Sequence, residues 1–150
     1  MDLSPYLSFN GQCEEAFKFY EKCLGGKTVF MMTWGDSPMA AEAPPGWGKK
    51  IMHATFKLGD TTMAGADMPS EQKPHGFSVA LGLSDAKEAD RIFKTMAEKG
   101  TVKVPIQETF WALRFGEVVD QFGTPWLINC EKPQTSPPEG GSKIVAKESK

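Results

Sequence analysis

Histidine and cysteine are scarce in this chain, charge is close to balanced, and no long apolar run occurs. The 150 residues include 2 His and 3 Cys. The histidines are His53 and His75, so a two-histidine ligand set is not expected. The cysteines, Cys13, Cys23 and Cys130, are odd in number and form no Cys-x-x-Cys pair. They read as reduced thiols, with no neighbouring feature that would lower a thiol pKa. Seventeen Lys and Arg against 19 Asp and Glu leave a net charge of -2. That balance offers neither a basic face for nucleic acid nor a polybasic patch for a membrane. No apolar stretch approaches the roughly 20 residues of a membrane-spanning helix. The opening residues, MDLSPYLSF, lack the positive start and long apolar run of a secretory signal. The cytoplasm is the expected location, with neither nucleic acid nor membrane as partner.

What remains is the composition of an ordinary globular protein, 40% hydrophobic and 24% charged. A chain of this size buries roughly 70% of its unfolded surface, so one core suffices without staples. Its organising signal is an internal repeat. PYLSFNGQCEEAFKFYEK from Pro5 and SVALGLSDAKEADRIFKT from Ser78 register without a gap when shifted by 73 positions. Glu15 falls on Glu88, Ala16 on Ala89 and Tyr20 on Phe93. Each copy reads as a short strand, a polar turn and an amphipathic helix.

The spacing of Ala16, Phe19, Tyr20 and Cys23 predicts a helix over residues 11–23, capped by Asn10 and ended by Gly25-Gly26. Ala89, Ile92, Phe93 and Met96 predict a second over 85–98, capped by Ser84 or Asp85 and closed by Gly100. Strand-like segments follow each helix: 28–34, 51–58 and 61–66, then 102–107, 110–119 and 125–130. The expected fold class is therefore α+β, a βαβββ unit used twice. Module one covers about residues 4–67 and module two about 76–131. The tail from 132 to 150 is expected to be disordered on composition. The Gly35–Lys50 loop is long for a compact domain, so it reads as mobile or functional.

Three segments carry a family likeness: SPYLSFNGQCEEAFKFYEKCLGG (Ser4–Gly26), HATFKLGDTTMAGADMP (His53–Pro69) and QETFWALRFGEVVDQFGTPWLINC (Gln107–Cys130). The duplicated unit resembles the vicinal oxygen chelate superfamily of glyoxalase I, extradiol dioxygenases and the fosfomycin and bleomycin resistance proteins. The match is closest to its PhnB-like branch. The resemblance implies a glyoxalase-like fold, two facing curved sheets around a cavity with the helices outside. It also implies a homodimer. Some members of the branch carry a ubiquinone-pathway methyltransferase label, but no glycine-rich strand-to-helix turn suited to a nucleoside cofactor occurs here.

Metal-dependent members of the superfamily hold a divalent ion with His on the first strand and Glu on the last strand of each unit. Carried onto this chain, those positions become Pro5 and Ser78, then Met63 and Leu127. None is a good ligand for such an ion, so no metal and no other cofactor is expected. Strand alternation turns Leu7 and Phe9 inward with Pro5, and Ala80 and Gly82 inward with Ser78. The same reasoning places His53, Thr55 and Lys57 on the cavity side, and Asn129 beside Leu127. Gln107 or Glu108 faces the cavity, with Trp111 as a flat apolar platform. The candidate ligand-binding set is Leu7, Phe9, His53, Thr55, Ser78, Gln107, Trp111, Leu127 and Asn129. Glu108, with a carboxyl pKa raised by desolvation, and His53 are the catalytic candidates.

The expected ligand is a small, partly apolar organic molecule. One alternative is a divalent-metal enzyme, a lyase, isomerase or dioxygenase of the glyoxalase type, with relocated ligands. His53 and Glu108 would hold the ion with Asp67 or Glu117, and a divalent metal belongs only to that reading. The other alternative is a non-catalytic interaction dimer with a filled cavity.

Overall fold

The computed structural model describes residues 1–133; the expected tail lies outside them apart from Lys132 and Pro133. The chain order is β1 (Tyr6–Phe9), α1 (Cys13–Leu24), β2 (Lys27–Thr33), β3 (Ile51–Leu58) and β4 (Thr61–Asp67). Then come β5 (Val79–Leu83), α2 (Ala86–Ala97), β6 (Thr101–Gln107), β7 (Ala112–Val119) and β8 (Pro125–Glu131). Two four-stranded sheets form, ordered β1-β4-β3-β2 and β5-β8-β7-β6. The helix crossover makes each first strand parallel to the last of its unit, and hairpins make the other pairs antiparallel. The doubled βαβββ unit read from the repeat is the architecture observed.

Both helices bury their apolar stripe in one shared core. Phe17 packs edge-on against Phe9 and Phe56, while Tyr20 packs on Trp126 of module two. Each such ring contributes about 1.5–3 kcal/mol by leaving water. The modules are also joined by a buried polar knot. Asp120 accepts from Tyr20 Oη at 2.6 Å and from Trp126 Nε1 at 2.9 Å. Its other oxygen accepts from the Phe122 and Thr124 amides, closing the β7–β8 turn.

Helix α2 is capped as its sequence indicates, the Asp85 carboxylate accepting from the Lys87 amide. Helix α1 is not. It begins at Cys13, its N-cap residue is Gln12, and no local side chain caps it. Asp67, at the end of β4, accepts from the Cys13 amide at 2.9 Å and from the Ile51 amide at 2.9 Å. A buried carboxylate 54 residues away does the work expected of Asn10.

The gapless repeat is also corrected. The helices do keep a shift of 73, with Ala16, Tyr20 and Cys23 matching Ala89, Phe93 and Met96, all buried. The first strands do not. Three residues, Asn10–Gln12, link β1 to α1, with Gly11 at φ +92, while two, Ser84–Asp85, link β5 to α2. The extra residue displaces β1 by one, so Leu7 and Phe9 correspond to Leu81 and Leu83. A one-residue slip reverses the face of every side chain on a strand.

Candidate functional site

That slip decides which side chains line the open sheet faces. Along β1, Leu7 and Phe9 are buried in the core and Tyr6 and Ser8 are exposed. The expectation that Leu7 and Phe9 lie on the open sheet face is therefore overturned. On β4, Met63 is also in the core, opposite Phe56. The open-face residue beside Tyr6 is instead Ala64. On β3, Ala54 and Phe56 are buried, which leaves His53 and Thr55 on the open side. The first sheet thus carries a row of Tyr6, Ala64, Thr55 and Phe30 in register. His53 is gripped within it: Tyr6 Oη lies 3.3 Å from Nδ1 and Thr55 Oγ1 lies 3.3 Å from Nε2. Phe30 packs on the imidazole with ring centroids 6.0 Å apart.

The second sheet behaves as alternation predicts. Val79, Leu81 and Leu83 pack on the core, whereas Ala80 and Gly82 are exposed. Ser78 lies just before β5 and is exposed, and so is its neighbour Phe77. Trp126 and Ile128 are buried, leaving Leu127 and Asn129 on the open side. One row there reads Gly82, Asn129, Phe115 and Gln107, and the next Ala80, Leu127 and Glu117. The Oδ1 of Asn129 is shielded from solvent and has no hydrogen-bond partner among the described residues. Beside it, a Cβ added to Gly82 would meet nothing within 4 Å. Trp111 stands edge-on to Phe115 at 5.2 Å and to Phe110 at 4.7 Å. Gln107 is exposed at the end of β6.

Glu108 is corrected in its chemistry. Its carboxylate pairs with Lys132 at 2.8 Å, while Arg114 pairs with Asp90 on α2. The hydrogen bond from Lys132 and its charge hold the Glu108 carboxyl below the usual carboxylate range. A general acid needs the opposite shift. Two of the thiols are held in the neutral form by their surroundings: burial first, then the nearby Asp67 carboxylate, pushes Cys13 up to about 12. Burial likewise pushes Cys23 up to about 11.

The metal question turns on donors. On the first strands the open-face residues are Tyr6, Ser8, Ala80 and Gly82; their partners on the last strands are Ala64, Ala66, Leu127 and Asn129. None is an imidazole or carboxylate, so these positions do not fit a divalent ion. The relocated set is not gathered either. Asp67 is committed to two backbone amides and Glu108 to Lys132, while Glu117 sits on the other sheet from His53. No three His, Cys, Asp or Glu among the described residues form a group that could hold a metal. No helix among them is long and apolar enough to cross a membrane.

The loop from Gly35 to Lys50 is tied down at its stem. The Trp34 amide donates to Lys50 O, Gly35 to Gly48 O, and the Trp34 indole to Asp67 O. It lines neither of the two hollows at the module junction.

Comparison with known proteins agrees with this geometry. The family model described as 3-demethylubiquinone-9 3-methyltransferase matches residues 1–129. The chain is 37% identical over 144 residues to Protein YjdN of Escherichia coli K12, covering 89% of this chain and 98% of that one. It is 40% identical to protein PA1353 from Pseudomonas aeruginosa, whose crystal structure superposes with TM-score 0.80 over 87% of this chain and 98% of that one. A PhnB protein from Bacillus cereus, described as a putative 3-demethylubiquinone-9 3-methyltransferase, is 22% identical with TM-score 0.73, covering 87% and 99% of the two chains.

Proposed function

Because the chain belongs to the family described as 3-demethylubiquinone-9 3-methyltransferase, the PhnB-like branch of the vicinal oxygen chelate superfamily, we propose that it binds a small, partly apolar organic molecule on the open faces of its sheets, without the ion usual in that superfamily. The observation that carries the reading is Asn129 Oδ1, on the open side of the second sheet, which has no hydrogen-bond partner among the described residues. A shielded acceptor without a donor costs about 1–3 kcal/mol, and a ligand N–H or O–H that reached it would recover that cost. Phe115 and Trp111 supply a flat apolar wall, and Gln107 stands at the end of the same row. On the other sheet, His53 held between Tyr6 and Thr55 is a second polar anchor. Neither strand-to-helix turn, Asn10–Gln12 or Ser84–Asp85, is the glycine-rich loop a nucleoside methyl donor would use, so methyl transfer is no part of this reading.

A homodimer in the cytoplasm completes the proposal. Tyr6 is 56% exposed, Phe30 48%, Phe110 90% and Trp111 41%. Large aromatics at that exposure on two sheet faces are what a second copy would cover.

Thermal shifts across a panel of aromatic compounds, with and without N–H or O–H donors, test the reading. Donor-bearing compounds are expected to raise Tm, and Asn129→Ala and Trp111→Ala to abolish the rise. If no compound stabilises the wild-type protein, the interaction dimer with a filled cavity is the better account.

A further inference from the structure

Where the modules meet, at the β7–β8 turn, lies a hollow of about 1190 Å³. His53, Trp111 and Asn129 do not line it; it touches the first sheet's open face only through Tyr6 and Ser8. Its charged lining is Glu71, Lys73, His75, Lys99, Lys103 and Asp120. The chain as a whole carries two more acids than bases, 19 against 17, and this hollow inverts that balance. Asp120 is buried and both its oxygens are saturated, by Tyr20, Trp126, Phe122 and Thr124. The only solvent-facing acid in the lining is then Glu71, against three lysines: Lys73 in the connector after β4, Lys99 between α2 and β6, and Lys103 on β6. None of these lysines pairs with a carboxylate among the described residues. Exposed apolar surface lies among the charges, from Phe77, Met68 and Tyr6.

We propose that this hollow is a second binding site, for a small organic anion with a flat apolar body. Concave walls of one charge sign concentrate counter-ions, and unpaired lysines carry no competing partner that a ligand must displace. The ammonium groups would take a carboxylate or phosphate oxygen as point charges, while Phe77 and Met68 cover the ring. The volume exceeds the upper end of ordinary ligand pockets, about 1,000 Å³, so size does not exclude an aromatic ester. The site is independent of the one on the sheet faces and stands if that one fails.

Backbone amide NMR of the full chain, titrated separately with phenyl phosphate, benzoate and phenol, tests it. At least one anion is expected to shift Phe77, Gly100 and Thr101 saturably, phenol to do so far more weakly, and the tighter anion to identify the headgroup. Replacing both Lys99→Gln and Lys103→Gln should weaken binding about tenfold, as loss of two cations from a concave site predicts. The corresponding Lys→Arg pair should retain binding. Asn129→Ala should leave it unchanged, which separates this site from the sheet-face site. The proposal is overturned by no saturable binding of either anion, by phenol binding as well as the anions, by shifts confined to the sheet faces, or by full affinity in the double Gln variant.

Discussion

Asp67 shows how much one side chain can hold. Its buried carboxylate satisfies the first amide of α1 and the first amide of β3, and its own carbonyl accepts from the Trp34 indole. Asp67→Ala orphans two buried N–H groups at once and should cost about 2–4 kcal/mol in urea unfolding. Asp67→Asn keeps one accepting oxygen and should cost less. Glu108 is the opposite kind of acid, exposed and set by a single neighbour. Lys132 holds its pKa below the ordinary value, so the ion pair's contribution is present above the unfolded-state pKa and lost as pH falls through the folded one. Carbon-detected NMR titration should show the Glu108 midpoint rising toward the free-carboxylate value in Lys132→Gln. Sequence could name both residues as acids. It could not say which one finds backbone amides and which finds a lysine, because both partners are set by chain that returns from elsewhere.

At the scale of elements, local signals were accurate where local chemistry decides. Helix α1 ends at Gly25, whose φ of 79 is the left-handed C-cap and whose amide reaches Glu21 O. Gly25→Ala should lower stability by about 1–2 kcal/mol, since a Cβ disfavours that conformation; a Tm scan would detect it. The strands of module two were readable by alternation because their core face is uniformly apolar: Val79, Leu81 and Leu83. Strand β1 was not. Both of its faces carry apolar residues, Tyr6 on one and Leu7 and Phe9 on the other, so alternation alone does not orient it. Setting Pro5 opposite Ser78 turns Leu7 and Phe9 inward, and the extra residue between β1 and α1 reverses that face. Tyr6 and Ser8 therefore stand on the open face in place of Leu7 and Phe9; on β4, separately, Ala64 stands there in place of Met63.

Across the whole molecule, the modules depend on one another through Tyr20. Burial first, and then the Asp120 charge, push its phenol well above the ordinary tyrosine value. The neutral phenol is thus the native form, and its stabilisation is complete below the unfolded-state value of about 10 and lost as pH rises toward the folded one. Urea unfolding between pH 8 and 11 should show a stability loss that is reduced in Tyr20→Phe. At neutral pH that variant should lose about 1–2 kcal/mol, because Asp120 and Thr124 each lose a buried partner.

The amino-acid order alone settled the doubled βαβββ plan and the helix registers. Those depend on period, turn residues and residue type, which are local. Folding in three dimensions decided which face of β1 meets the core, that Asp67 caps a helix it does not belong to, and that Asp120 ties the modules together. It also decided that Asn129 Oδ1 is shielded from solvent, and that Lys73, Lys99 and Lys103 line one hollow. Each of those is a relation between residues far apart in the chain, and only packing brings them within reach.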